Sequence, residues 1–200
     1  MEVLFATANV GKLKDVNRFL EGSDIQVLSA GELAERSGRE DLPREVDETG
    51  STYEENAALK SRALFAWSHH PTIGDDSGLE VDALSGQPGL YSARYAGAGC
   101  SFDDNINKLL SALEGEWERR AKFVCVISYT CSENETHFFR GELEGVITDK
   151  KRGEGGFGYD PIFEVLDTGK TLAELKAGRG PIETHRTRAL QKWIDYTALQ

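Results

Sequence analysis

Two adjacent carboxylates stand in the run Gly74-Asp75-Asp76-Ser77-Gly78, bracketed by glycines. Carboxylates at a strand end can hold Mg²⁺, and one of them can instead draw a proton from water. The acidic stretch Glu45-Val46-Asp47-Glu48 offers a second carboxylate from elsewhere in the chain. The competing reading is an Asx-type turn whose acids are simply solvated.

Three other segments carry usable chemistry. Thr7-Ala8-Asn9-Val10-Gly11-Lys12 is short, small-residued and ends in a lysine. Between a strand and a helix it would offer backbone N–H groups and a cation to phosphate, although the GxxxxGK[ST] spacing of a Walker loop is absent. Gly153-Glu154-Gly155-Gly156-Phe157-Gly158-Tyr159-Asp160-Pro161 sets aromatic faces among four glycines, with Asp160 able to accept from base N–H groups. It reads equally as a glycine-rich hairpin turn with two core aromatics. Thr184-His185-Arg186 reads as a helix cap followed by two side chains suited to phosphate or a purine carbonyl, or merely by two surface residues. His69-His70 lies at a helix end without metal-ligand partners, and Cys125 reads as a buried apolar residue. A Ser77–His185–Asp triad lacks the G-x-S-x-G elbow.

These segments need elements to hold them. Val3–Ala6 reads as a buried strand and Leu13–Leu20 as the helix after it. Residues 32–48 read as acidic and irregular, broken by Gly38 and Pro43. Ser51-Thr52-Tyr53-Glu54 has capping-box spacing ahead of an Ala-rich helix to about Trp67. Thr72–Gly74 reads as a brief strand, and Ser101-Phe102-Asp103-Asp104 starts a helix through about Leu113. Ala121–Thr130 is nearly continuous β-former, as expected of a central strand covered on both faces. His137–Asp149 predicts one or two strands, with Gly141 and Gly145 permitting a bend or bulge. Thr171–Glu174 is another capping box, and His185–Ala198 a closing helix. Strands interleaved with helices predict an α/β fold around a mixed, elongated sheet, and no composition shift divides residues 1–200 into separate domains.

The chain has 200 residues, a mass of 22.1 kDa and a formal net charge of −11. That charge argues against non-specific coating of nucleic acid or anionic membrane. Residues 150–200 are an exception, with nine basic and seven acidic side chains, which suits a small anionic ligand held at one place. No apolar run approaches the roughly 20 residues of a membrane helix. Three cysteines without a CxxC pair fit a reducing compartment, so the cytoplasm is expected.

Taken in order, the segments FATANVGK (5–12), ETGSTYEENAALKSRA (48–63), GDDSGLEVDALSGQPGLYSARYAG (74–97), GEGGFGYDPIF (153–163), GKTLAEL (169–175) and THR (184–186) resemble the Ham1/inosine triphosphatase family across nearly the whole chain. The resemblance implies a two-lobed α/β fold with a nucleotide cleft and usually a homodimer. It also implies Mg²⁺-dependent hydrolysis of the non-canonical purine nucleoside triphosphates ITP, dITP and XTP to monophosphate and pyrophosphate. By position, Thr7, Ala8, Asn9, Val10, Gly11 and Lys12 would hold the triphosphate. Asp76 would be metal ligand and proton acceptor, with Asp47 or Glu48 as the second metal ligand. Ser77 would touch the substrate, while Phe157, Gly158, Tyr159, Asp160, His185 and Arg186 would frame and read the base. The chain departs from the family at Ala8, where glycine is usual, at Thr184, where serine is usual, and at Gly180, where a base-reading lysine is usual. Arg179 and Lys176 are the cations nearest that last position. Two other readings stand beside this one: a broader purine nucleoside triphosphate pyrophosphohydrolase, and a nucleotide-binding module without turnover.

Overall fold

The computed structural model describes residues 1–41, 46–178, 180 and 182–199. Strand β1 (Glu2–Ala6) buries Val3, Leu4 and Phe5. Helix α1 (Val10–Leu20) begins three residues before the expected Leu13, because the Asn9 side chain accepts from the N–H groups of Gly11 and Lys12 and so caps it. After β2 (Gln26–Leu28) comes α2 (Ala30–Ser37), which corrects the expectation of irregular chain from residue 32. Ser29 and Glu32 form a full capping box there, and Gly38 ends the helix at φ 62°. Pro43 and Glu45 lie outside the described residues.

Helix α3 (Tyr53–Ser68) is capped by Thr52 rather than Ser51; Ser51 instead bonds Glu55, one residue beyond the expected partner. Strand β3 (Thr72–Val81) runs ten residues, far past the expected three, so both aspartates lie within a strand and not in an Asx turn. Then follow β4 (Pro88–Gly89), α4 (Phe102–Ala112) with its Ser101–Asp104 capping box, β5 (Arg120–Ser132) and β6 (Glu135–Ile147). β6 is one continuous strand. Gly145 serves close approach rather than a bend, since a Cβ there would run into the Glu164 carbonyl and the Phe163 ring. The chain closes with β7 (Phe163–Val165), α5 (Leu172–Lys176), boxed by Thr171 and Glu174, and α6 (His185–Thr197).

Among the described residues seven strands form one sheet, in the order β2-β1-β3-β5-β6-β7 with β4 beside β3. β1 pairs in parallel with β2 and β3, whereas β3–β4 and β6–β7 are antiparallel, so the sheet is mixed and the fold is α/β as expected. No helix among the described residues is long and apolar enough to cross a membrane.

The chain divides into two compact units. The first comprises residues 1–76, 125–141 and 186–200. Its β1 side chains alternate: Val3 and Phe5 join Val16, Ile73, Ile127 and Trp193, while Leu4 joins Leu28, Leu33 and Leu64. The second comprises residues 77–124 and 142–185, around Leu79, Ile106, Leu109, Phe123, Phe163 and Leu172.

Candidate active site

In the first unit, strand alternation sends Asp75 and Asp76 to opposite faces of β3. Asp75 is 1% exposed. It pairs with the Lys12 ammonium, accepts from Arg186 Nε at 2.7 Å and receives the Cys125 thiol at 3.2 Å. Burial alone would raise its pKa, but Arg186 and Lys12 hold it well below the usual carboxylate range. Arg186 is equally buried and also donates from Nη1 to Asp15 Oδ2 at 3.1 Å. Burial opposes its charge, yet Asp75 raises its pKa above the ordinary arginine value. The expected base reader is therefore engaged with carboxylates of its own unit.

Asp76 has the contrary environment. Burial raises its pKa, Glu48 and Asp75 add to the rise, and Lys60 opposes it. Lys60 Nζ sits 2.8 Å from Glu48 Oε1 and 3.6 Å from Asp76 Oδ1, so the two carboxylates already share one cation. Asp76 Oδ2 is buried and has no hydrogen-bond partner among the described residues. A buried carboxylate oxygen without a partner, beside a second carboxylate, is a donor set that suits Mg²⁺.

Local folding places Glu48. Gly50 N–H donates to the buried Asn56 Oδ1 at 2.8 Å, which ties this segment to α3 and to Lys60. Asp47 is exposed, and its backbone carbonyl accepts from Thr49 N–H. Gly74 lets α3 approach β3, because a Cβ there would meet Ala57 O, Ser128 Oγ at 2.8 Å and Ser61 N at 3.0 Å. Sequence reasoning missed Lys60 and Asp15. A lysine at the i+3 position from Ala57, on a helix face continued by Ser61 and Leu64, was the available signal for Lys60.

The loop before α1 is ordered by its own side chains. Thr7 Oγ1 accepts from Asn9 N–H at 3.1 Å, and Asn9 satisfies Gly11 and Lys12. Ala8 and Val10 are exposed, and Ala8 lies outside the left-handed region, so its methyl group is accommodated without backbone strain. Lys12 reaches from the first turn of α1 to Asp75. Ser77 lies within β3, in a strand rather than a nucleophile elbow.

In the second unit, Phe157, Gly158, Tyr159 and Asp160 stay together but serve different ends. Gly156 and Gly158 adopt φ of 75° and 61°, conformations that favour glycine. Asp160 Oδ2 accepts from Phe157 N–H at 2.9 Å and pairs with Lys176 Nζ at 3.0 Å. The Lys176 ammonium stands 5.0 Å from the Phe157 ring centroid. Tyr159 is a core residue whose hydroxyl donates to Ser92 O at 3.0 Å, and burial pushes its pKa up. His185 is buried and stacks on Phe123, with centroids 4.7 Å apart. His185 and Arg186 are consecutive yet belong to different units. A Cβ at Gly180 would meet nothing within 4 Å among the described residues, and Arg179 lies outside them.

The Ham1 family model matches residues 3–196. A Staphylococcus epidermidis protein named dITP/XTP pyrophosphatase is 44% identical over 195 residues, covering 98% of this chain and 95% of the relative. A Staphylococcus aureus protein of the same name is 47% identical over 191 residues, covering 94% and 92%. Among solved structures, a HAM1 protein from Coxiella burnetii superposes with a TM-score of 0.86 at 34% identity, covering all of both chains. The Staphylococcus aureus Ham1 protein gives 0.79 at 43% identity, covering 99% of this chain and 98% of the other.

Proposed function

The chain belongs to the Ham1 family, and on that membership and the chemistry around Asp76 we propose that it hydrolyses deaminated purine nucleoside triphosphates to monophosphate and pyrophosphate. ITP, dITP and XTP are the substrates of this reading, and the α–β phosphoanhydride is the bond broken. One observation carries it: the buried Asp76 oxygen without a partner among the described residues, set beside Glu48 and a cation the two carboxylates share.

Asp76 and Glu48 would hold Mg²⁺, which when bound neutralises charge on the triphosphate and leaving group. Asp76, kept basic by burial, accepts a proton from the attacking water. Lys60 restrains both carboxylates and offsets their mutual repulsion. The Thr7–Lys12 loop, with Asn9 fixing its shape, receives phosphate oxygens, and Ser77 adds a hydroxyl. Asp75 holds Lys12 in place, and Arg186 holds Asp75. Arg186 thereby becomes a positioning residue of the phosphate end. Phe157 supplies a stacking face for the base, and Asp160 accepts from it. The chain acts as one catalytic domain over residues 1–200, in the cytoplasm, as the odd cysteine count favours, and as a homodimer, as the resemblance implies.

A panel of nucleotides compared by kcat/KM tests the substrate class. ITP, dITP and XTP are expected to exceed ATP and GTP. Equal values across the panel would replace this reading with a broader purine triphosphatase, and tight ITP binding without turnover would replace it with a binding module.

A further inference from the structure

We infer that Lys176, paired with Asp160, reads the N1–C6 edge of the purine base, an assignment that rests on the proposed pyrophosphohydrolase reading. The Lys176 and Asp160 side chains are only 8% and 4% exposed, and their heads lie 3.0 Å apart. Such a pair is a weak stabilising device, because desolvation of two charges offsets their attraction.

The surroundings are nevertheless built for this pair. A Cβ on Gly156 would collide with the Asp160 carboxylate and stand 2.9 Å from Lys176 Cδ. One on Gly155 would meet Ala173 O at 2.5 Å, Ala177 N at 2.6 Å and the Lys176 carbonyl carbon at 2.9 Å. The glycine-rich loop thus lies directly on the last turn of α5, where Lys176 stands. The Phe157 N–H fixes the carboxylate, and the Lys176 ammonium stands near the same ring. An aromatic face, an acceptor and a three-donor cation therefore converge in one place.

That triad matches one base edge and not another. Hypoxanthine and xanthine present N1–H, a donor, beside O6, an acceptor; Asp160 complements the first and Lys176 the second. Adenine presents the reverse, an N6 amine beside a lone pair on N1, which sets donor against donor and acceptor against acceptor. Guanine shares the N1–H and O6 pattern, so this pair does not distinguish GTP from ITP. The lysine usual in the family falls on Gly180, which has no side chain, and Lys176 supplies a cation from four positions earlier.

The test compares wild type with Lys176→Met, and with Lys176→Gln, which keeps a donor for Asp160. The kcat/KM of each is measured on ITP, GTP and ATP. Losing one charged hydrogen bond is expected to narrow the ITP/ATP ratio by about 10–100-fold, with the ITP/GTP ratio unchanged. Lys176→Arg should restore part of the ITP/ATP ratio. In parallel, calorimetry with IMP and AMP reads base preference without turnover, and Lys176→Met should lose the preference for IMP. A wild-type protein that binds IMP over AMP through Lys176 but releases no pyrophosphate would overturn the catalytic reading and leave this assignment standing. Equal losses on all three triphosphates, or an unchanged ITP/ATP ratio, would overturn the assignment.

Discussion

Asp75 and Asp76 are neighbours in sequence, yet they occupy opposite faces of β3, and their surroundings lower the pKa of the first and raise that of the second. Asp75 is enclosed by Lys12, Arg186 and Cys125; Asp76 shares Lys60 with Glu48. Asp75 anchors two cations, whereas Asp76 keeps a buried oxygen that has no hydrogen-bond partner among the described residues.

Asp76→Asn is expected to cut turnover by at least the 10²–10⁴-fold typical (roughly) of general-base assistance, with metal binding weakened as well. The fold should survive. A carboxylate whose folded pKa is raised stabilises the native state only in acid, and that contribution is lost as pH rises through the folded value. Removing the charge at neutral pH should therefore leave the melting temperature at or above that of wild type, as calorimetry would show.

Asp75→Asn should act on stability first. It leaves Arg186 buried with one carboxylate partner fewer, a kind of change that costs about 3–5 kcal/mol. Urea denaturation at neutral pH reads this directly. The pH dependence has a definite sign: the folded pKa of Asp75 is depressed, so its contribution is present above the unfolded value and lost as pH falls below about 4. The variant should show a shallower acid loss of stability than wild type. Stability equal to wild type would remove Asp75 from its anchoring role.

Lys60→Met should move the acid limb of the kcat/KM–pH profile to higher pH. Lys60 lowers the pKa of Asp76, so its removal raises that pKa further. In wild type the same competition between proton and metal predicts that the apparent Mg²⁺ requirement increases as pH falls. A Mg²⁺ requirement independent of pH would separate Asp76 from metal binding.

Gly74→Ala tests the close approach of α3 to β3. The new methyl group would press on Ala57 O and Ser61 N, backbone atoms that cannot swing aside. A loss of about 1–3 kcal/mol is expected, as for overpacking elsewhere. Lys60, carried on that helix, should shift with it and reduce turnover beyond the loss of folded protein.

Local chemistry was legible in the sequence where its causes are local. The Ser101–Asp104 and Thr171–Glu174 capping boxes and the β-formers of β5 predicted their elements well. The Ser29–Glu32 box is equally local, but Gly38 in the sequence reads as a breaker of the segment, whereas in the fold it terminates α2. The acidic pair read as a strand end because glycines flank it; here Gly74 makes room for a helix within a longer strand. Long-range pairing was not legible. Arg186 reaches Asp75 across 111 positions and Asp15 across 171, and no spacing rule connects them. Glu48 and Asp47 could not be separated by spacing either. In the fold Glu48 pairs with Lys60, close to where Gly50 bonds Asn56, and Asp47 is exposed.

Separation of reaction products by ion exchange, with ITP and Mg²⁺, reads which phosphoanhydride bond is broken and whether Asp76 is needed to break it. Wild-type protein is predicted to yield IMP and pyrophosphate in equal amounts, and Asp76→Asn, folded as shown by its melting curve, almost none of either. IDP with orthophosphate from the wild type, or undiminished IMP and pyrophosphate from Asp76→Asn, would contradict the proposed function.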